Sequence, residues 1–403
     1  MSEQKKKTIL CISSYFKGSE FLVAAHNFGW RVIFITSESL KDENWPRESI
    51  DDLYFMPDIK KEWNIADLLK AVSYIARTVV IDRIVALDDF DVEKAATLRE
   101  HLRVPGMGET TMRYFRDKYS MRMKAREKGV LVPEFVHVLN HEMINDFMIR
   151  REPPYILKPR MQAGSIGMKK LESREAAWEM INALGDEQSD YLMEKFIPGD
   201  IFHVDSIIQN HEIRFAVVSA YGLPPLEVAH EGRVFTTRTV LPGSEDDIRM
   251  KEMNANVMKD LGMKTGVNHT EFIKGYDGKI YFLETSARVG GANIVELIKA
   301  ATGLSLWEEW ARLETLPDGK KYKTPKLKKN HSALINSLAK QEWPDMNAFT
   351  EPEVVWRLSK QYHAGLVISS PKYERITQLL EEYVGRFYKD FFHTLPMGDK
   401  AAN

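Results

Sequence analysis

Glu271 and Glu284 stand on either side of Asp277-Gly278, and a carboxylate pair so placed can hold a cation. The Asp-Gly dipeptide favours a two-residue hairpin turn. Counting outward from that turn sets Tyr276 against Lys279, Glu271 against Glu284 and His269 against Ser286. Side chains alternate along a strand, so both glutamates share one face. Directly opposed β-carbons lie only about 4.5–5.5 Å apart, where two carboxylates repel unless a cation comes between them. A divalent ion such as Mg²⁺, which takes one or two carboxylates together with phosphate oxygens, answers that need. A solvated acidic pair on a sheet edge is the alternative reading of the same residues.

Lys158 closes the apolar run Tyr155-Ile156-Leu157, and Gly164-Ser165-Ile166-Gly167 follows soon after. A lysine at a strand end beside a flexible glycine loop suits a phosphate, because loop N–H groups approach the anion closely and the ammonium neutralises it. The order reverses that of a Walker A loop, whose lysine follows its glycines. A plain surface hairpin is the competing reading. Further on, Glu194-Lys195-Phe196-Ile197 closes a strand before Pro198-Gly199 turns the chain into Phe202-His203-Val204-Asp205. Backbone groups at such a bend can hydrogen-bond an adenine edge inside an apolar slot, although an ordinary hairpin has the same pattern.

The elements that must position these groups follow from hydrophobic periodicity. Residues 8–13, 31–36 and 83–87 are short β-branched runs that alternate with amphipathic stretches over 20–28, 65–78 and 92–101. That βαβ pattern calls for a parallel sheet. Its last strand runs into Asp88, Asp89 and Asp91, and ligands of such sheets gather at the carboxyl ends of strands. A proline-glycine break at 104–108 leads into one basic helix over 110–128. Beyond it come strands at 135–139 and 155–158 around a helix at 142–150, a helix at 174–184, and strands at 191–196, 202–209, 213–221, 266–273 and 279–284. The segment 230–239, with Arg233 and Arg238 among threonines, reads as a loop closing over a substrate or as a solvated hairpin loop. The tail alternates strands at 332–338, 353–358 and 364–369 with a helix at 373–391.

Taken in this order, the motifs resemble the ATP-grasp superfamily, specifically its carboxylate-amine ligases of the L-amino acid ligase-like branch, over about residues 118–291. The implied fold is α/β and α+β multidomain: an N-terminal Rossmann-like parallel sheet followed by a two-lobed ATP-grasp fold. The expected divisions are an α/β domain over 1–108, a first lobe with a small lid over 109–190, a second lobe with the metal and phosphate site over 191–325, and an α+β subdomain over 326–403. Arg116-Asp117-Lys118 looks like the family's Asp-Lys pair, which implies Lys118 on ATP phosphates. Lys158 with Gly164, Ser165 and Gly167 looks like the second lysine and the glycine-rich lid. Glu194, Lys195, Phe196 and Ile197 are similar to the hinge whose backbone reads adenine, and His203 matches a position near the ribose. Glu271 and Glu284 match the two metal carboxylates. Ser286 stands where the family usually has asparagine as a further metal ligand, and Ile201 where many members carry a glutamate. Arg288 matches the arginine that steadies an acyl phosphate, and Gly290 and Gly291 lie in a pattern similar to the substrate side of amino-acid ligases.

The resemblance implies ATP and Mg²⁺, or Mn²⁺ in its place, as cofactors, a small-molecule carboxylate and an amine as partners, and a homodimer through the first domain. Phosphoryl transfer to the carboxylate would precede attack by the amine. Two rivals stand beside it. A biotin-dependent carboxylase is opposed by the absence, after Arg288, of that class's glutamate-histidine and downstream glutamate cluster. A non-catalytic ATP-binding regulatory module is opposed by the intact Lys158, Glu271, Glu284 and Arg288.

Composition agrees. A chain of 403 residues exceeds one core, so two or three domains are expected. The 56 basic residues against 58 acidic ones, with no long block of one sign, leave no nucleic-acid-binding stripe. No apolar run approaches the roughly 18 residues a membrane span needs. The single cysteine, Cys11, sits in an apolar run and reads as buried filler; it excludes a disulfide framework and a cysteine-rich zinc site. The lysine-rich start is not followed by a signal-peptide pattern, so a soluble cytoplasmic protein is expected.

Overall fold

The computed structural model describes residues 6–59 and 62–394. Every residue of β1 (Thr8–Ser13) is buried, because the strand lies inside a sheet covered on both faces. With β2 (Arg31–Ser37), β3 (Asp52–Met56) and β4 (Arg83–Ala86) it forms a parallel sheet in the order β3-β2-β1-β4. Ile9, Cys11 and Phe34 face α1 (Ser19–Asn27), while Leu10, Ile12, Ile33 and Ile35 face α2 (Ile65–Ile75) and α3 (Val92–Leu102). The βαβ expectation holds here. Sequence reading missed β3, an edge strand with Tyr54 and Phe55 exposed, which has no alternation to read. Cys11 is buried as expected, and burial pushes its thiol pKa up, away from nucleophilic reactivity.

The single helix expected over 110–128 is two. After α4 (Glu109–Met112) and a 3₁₀ turn, Asp117 takes an extended conformation and its side chain accepts from the Tyr119 N–H, capping α5 (Lys118–Glu127). Aspartate competes with the helix for the backbone in this way, and here it sets Lys118 at the first helical position.

A second sheet, antiparallel and in the order β5-β8-β6-β7, is built from β5 (Phe135–His137), β6 (Tyr155–Pro159), β7 (Lys169–Leu171) and β8 (Tyr191–Lys195). Ile144 and Phe147 of α6 (His141–Arg150) and Ala177 and Ile181 of α7 (Arg174–Leu184) pack on it.

The third sheet has eight strands. Five come first in the chain: β9 (Gly199–Gln209), β10 (Glu212–Tyr221), β11 (Phe235–Thr239), β12 (Thr265–Gly275) and β13 (Ile280–Ser286). The tail adds β14 (His331–Leu338), β15 (Val354–Arg357) and β16 (His363–Ser370), in the order β13-β12-β9-β10-β11-β14-β16-β15. The tail's strands thus continue the second lobe's sheet through the β11–β14 pairing. Segment 230–239 is not a loop: α8 (Pro225–Glu231) precedes β11 there.

β9 is buried along most of its length because helices cover both sides. Val204 and Ile208 pack under α5 and α9 (Glu245–Asp260). Ile207, on the opposite face, meets α10 (Ile294–Thr302) and α11 (Leu306–Glu314), which also reach the first domain through Phe21 and Trp310. The last helix, α12 (Tyr373–Asp390), covers β14 and β16. Among the described residues no helix is long and apolar enough to cross a membrane.

Candidate nucleotide and metal site

Glu271 pairs directly with Glu284, and His269 with Ser286, as the sequence suggested. The route to that register is different. The Gly275 N–H donates to the Lys279 carbonyl at 2.9 Å and the Gly278 N–H to the Gly275 carbonyl at 2.9 Å, so the turn is Tyr276-Asp277-Gly278, three residues rather than two. Such a turn alone would put the glutamates on opposite faces. A bulge compensates: Phe272 pairs with Phe282 while Glu271 pairs with Glu284, leaving Leu283 as the extra residue. Phe282 therefore points into the core beneath α9, and Glu284, two residues on, points to the opposite face beside Glu271.

Glu284 Oε2 lies 3.1 Å from Lys118 Nζ. Burial opposes the glutamate's charge, but Lys118 and then Lys158 hold its carboxyl pKa below the usual value. Lys118 also donates through Nζ to the Gln162 carbonyl and through its N–H to the Arg160 carbonyl at 2.9 Å. The stem of the glycine loop is thereby tied to the start of α5. In the loop Gly164, Ser165 and Gly167 all have positive φ, a run of left-handed conformations that glycine makes feasible.

Lys158 Nζ lies 2.5 Å from Glu194 Oε2, and Arg122 Nε donates to Glu194 Oε1 at 2.6 Å. All three groups are buried. Burial lowers the Lys158 pKa, with Glu194 opposing; burial would raise that of Glu194, but Arg122 and Lys158 bring it below normal. The Glu194 side chain thus anchors the second lysine. In the hinge, the Lys195 N–H donates to the Glu134 carbonyl at 2.8 Å and the Phe196 N–H to the Pro154 carbonyl at 3.1 Å, so these two donors are already committed.

Asp89, from the carboxyl end of β4, closes the other flank. It is paired with Arg116, and Arg288 Nε lies 3.9 Å from its Oδ1. Burial would raise its pKa, but Arg116 and Arg288, with help from the Ser286 hydroxyl and Lys118, bring it down to about 2. Arg288 also donates to the Val289 carbonyl at 2.7 Å.

A buried relay runs behind Glu271. His203 Nδ1 and His269 Nδ1 each meet a different oxygen of Asp205, at 2.7 and 2.9 Å. His269 Nε2 is 3.5 Å from Glu271 Oε1, which accepts from the Tyr221 hydroxyl at 2.8 Å. Burial favours a neutral His269 ring, but Asp205 and Glu271 outweigh it and raise the pKa to about 9, so the ring is a cation at neutral pH. His203 is fully buried, its Nε2 engaged by Thr237 Oγ1 at 2.8 Å; as it stands no ring nitrogen is free for a ribose hydroxyl. Gly290 leaves room for the relay: a Cβ there would sit 2.8 Å from Asp205 Oδ1. Over Gly291 the space is open. His203, Asp205 and His269 also have donor atoms within 4.8 Å of one another, the spacing of a metal triad, but Asp205 already bridges the two rings.

Six cations (Arg116, Lys118, Arg122, Lys158, Arg288 and the protonated His269) therefore face five carboxylates (Asp89, Glu194, Asp205, Glu271 and Glu284). Among the described residues, Arg122 Nη1 and Nη2 and Arg288 Nε are buried without a hydrogen-bond partner. A polyanion with a divalent counter-ion fits this surplus. Sequence reading missed Asp205 and Tyr221, and it noted Asp89 without attaching it to the site. Asp205 was within reach, since it lies two residues from His203 and opposite His269 in an antiparallel pair.

Residues 151–296 match the family model of the ATP-grasp domain. The chain is 24% identical over 276 residues to the L-arginine-specific L-amino acid ligase of Bacillus subtilis, an alignment covering 66% of this chain and 65% of that protein, slightly under two thirds of its length. It is 23% identical over 223 residues to the D-alanine--D-alanine ligase of Neisseria gonorrhoeae, covering 51% of this chain and 69% of that one. The crystal structure of the L-amino acid ligase from Bacillus licheniformis superposes with a TM-score of 0.74 at 17% identity, over 97% of this chain and 100% of the other. The chain carries an ATP-grasp domain over residues 151–296. The relatives it matches fall in the carboxylate-amine ligase branch that the motifs resembled.

Proposed function

We propose that the protein is an ADP-forming ligase that joins a small carboxylic acid to an amine through an acyl phosphate, making an amide or peptide bond. The observation that carries this reading is Glu284: it faces Glu271 across the hairpin and rests on Lys118, the residue that also ties down the glycine loop. In this reading Lys118 moves from Glu284 to ATP phosphates, and Lys158 joins it while Glu194 and Arg122 hold its position. Glu284 and Glu271, with Ser286 beside them, are then available to Mg²⁺ or Mn²⁺. Such an ion neutralises charge on the transferring phosphoryl group when bound. Arg288, oriented by Asp89, steadies the acyl phosphate, and the loop 164–167 covers the phosphates from water. The open space at Gly291 suits close approach of a substrate. The similarity to an L-arginine-specific L-amino acid ligase supports an amino acid as one substrate.

The test is ADP release over paired carboxylic acids and amino acids, with the product's mass measured. A pair that releases ADP and gains the mass of an amide supports the reading. ATP binding with Mg²⁺ but no ADP release from any pair would transfer the protein to the class of non-catalytic nucleotide-binding modules.

A further inference from the structure

A cavity of about 660 Å³ lies away from the nucleotide site. It sits between the first domain and the far ends of β9 and β12, walled by Arg99 of α3, Trp310 and Glu314 of α11, and the apolar side chains of Met107, Met263 and Leu316. Gly266, on its rim, is five residues along β12 from Glu271, roughly 17 Å at the rise of an extended strand.

Two opposite charges line this cavity, Arg99 and Glu314, and they act on one another without meeting in an ion pair. Arg99 Nε and Nη2 donate to the Ile84 carbonyl at 2.9 and 2.5 Å, and Nη1 to the Met107 carbonyl at 3.1 Å. Carbonyls satisfy these donors but leave the positive charge uncompensated. Glu314 Oε1 accepts from Trp310 Nε1 at 3.1 Å, which likewise leaves the negative charge in place. Each group feels the other's field, yet among the described residues neither forms an ion pair. Burial raises the Glu314 pKa, with Arg99, the Trp310 hydrogen bond and Arg83 offsetting it only in part. A half-buried cation and a half-buried carboxylate that share one cavity without direct contact each keep part of their desolvation cost, which a ligand carrying the complementary charges would offset.

We propose that this cavity is a second small-molecule site, separate from the nucleotide site, that takes a zwitterion with an apolar side chain, its carboxylate on Arg99 and its ammonium on Glu314. The Met107, Met263 and Leu316 wall receives the side chain. An α-amino acid and a short peptide share this chemistry, and the volume is within the range of small-ligand sites.

Calorimetric titration of the full chain without nucleotide tests this, using L-leucine and L-leucyl-L-leucine as probes and leucinamide and 4-methylpentanoate as analogues that each lack one charge. Glu314→Gln keeps the acceptor for Trp310 and removes only the charge. At least one zwitterion is expected to saturate the wild type, and its affinity should fall about tenfold in Glu314→Gln, the scale of one charge-assisted hydrogen bond. Both analogues should bind the wild type about tenfold more weakly than the zwitterion. The tighter of the two probes identifies the source as amino acid or peptide. ATP affinity, measured alongside, should be the same in both proteins. Failure of both probes to saturate overturns the proposal, as does equal zwitterion affinity in Glu314→Gln or an analogue that binds as tightly as the zwitterion.

Discussion

Glu284 is held by Lys118 in this structure and is offered to a metal in the proposed reaction, which requires Lys118 Nζ to turn away from it. Replacing it with glutamine keeps the side chain's shape and removes the charge. Glu284→Gln should lower turnover by about 10²–10³-fold with far-UV circular dichroism unchanged, because the loss falls on stabilisation of the transferring group. Near-normal turnover would remove Glu284 from the site. Lys158 is a different case, since Glu194 stays paired with Arg122 when the lysine is cut away. Lys158→Ala should fold and should weaken ATP binding about tenfold by calorimetry, the loss of one charge-assisted contact. Unchanged affinity would mean that Lys158 serves Glu194 alone.

The hairpin β12–β13 shows what one element must do to aim two acids. Its Leu283 bulge is flanked by the Thr270–Thr285 hydroxyl pair at 2.7 Å, and Thr270 in turn accepts from Asn268 Nδ2 at 2.6 Å. Asn268 is linked to Asn254 of α9 at 3.1 Å, so a buried polar chain pins the register on the face opposite Glu284. Thr285→Val leaves Thr270 one partner short and should cost about 1–3 kcal/mol in chemical denaturation. It should also weaken Mn²⁺ binding in the presence of ADP; stability loss with unchanged Mn²⁺ affinity would confine the chain to a folding role. This element also marks the limit of what could be read from sequence. Glu271 was placed opposite Glu284 by assuming a two-residue turn, and two departures, a longer turn and a bulge, cancel. Periodicity reports which residues alternate, and a bulge is a local break in alternation set by packing, here by Phe282 seeking the core. Asp117 hid a helix break for a similar reason, because 110–128 has helical periodicity and the cap is a competition between side chain and backbone. The motifs themselves were legible because each depends on short spacing. Asp89 joins the site only through the packing of the first domain against Arg116 and Arg288, contacts between residues far apart in the chain.

Across the whole molecule, the cavity between domains ties stability to pH. Glu314 has a raised pKa in the fold, chiefly from burial, so the folded state holds its proton more tightly than the unfolded state does. Its contribution is fully present below the unfolded glutamate value of about 4.3 and is lost as pH rises through the folded value. At neutral pH the ionised group is a burden. Glu314→Gln should therefore raise the melting temperature at pH 7 to 8, with the gain shrinking as pH falls toward about 4. A gain independent of pH would mean that the charge is not its source.

The continuity of the eight-stranded sheet has a practical consequence for anyone trimming the protein. The family match ends at residue 296, but β11 takes its outer neighbour, β14, from the tail, pairing Phe235 with Asn336 and Arg238 with Ala333. A fragment cut after residue 325 would strip β11 of that partner and bare Val234, which now packs in the same cluster as Phe349 and Tyr383. Unpaired N–H and C=O groups beside fresh apolar surface are a template for self-association. Such a fragment should elute from size-exclusion chromatography as soluble aggregate or precipitate during expression, whatever remains of its nucleotide site.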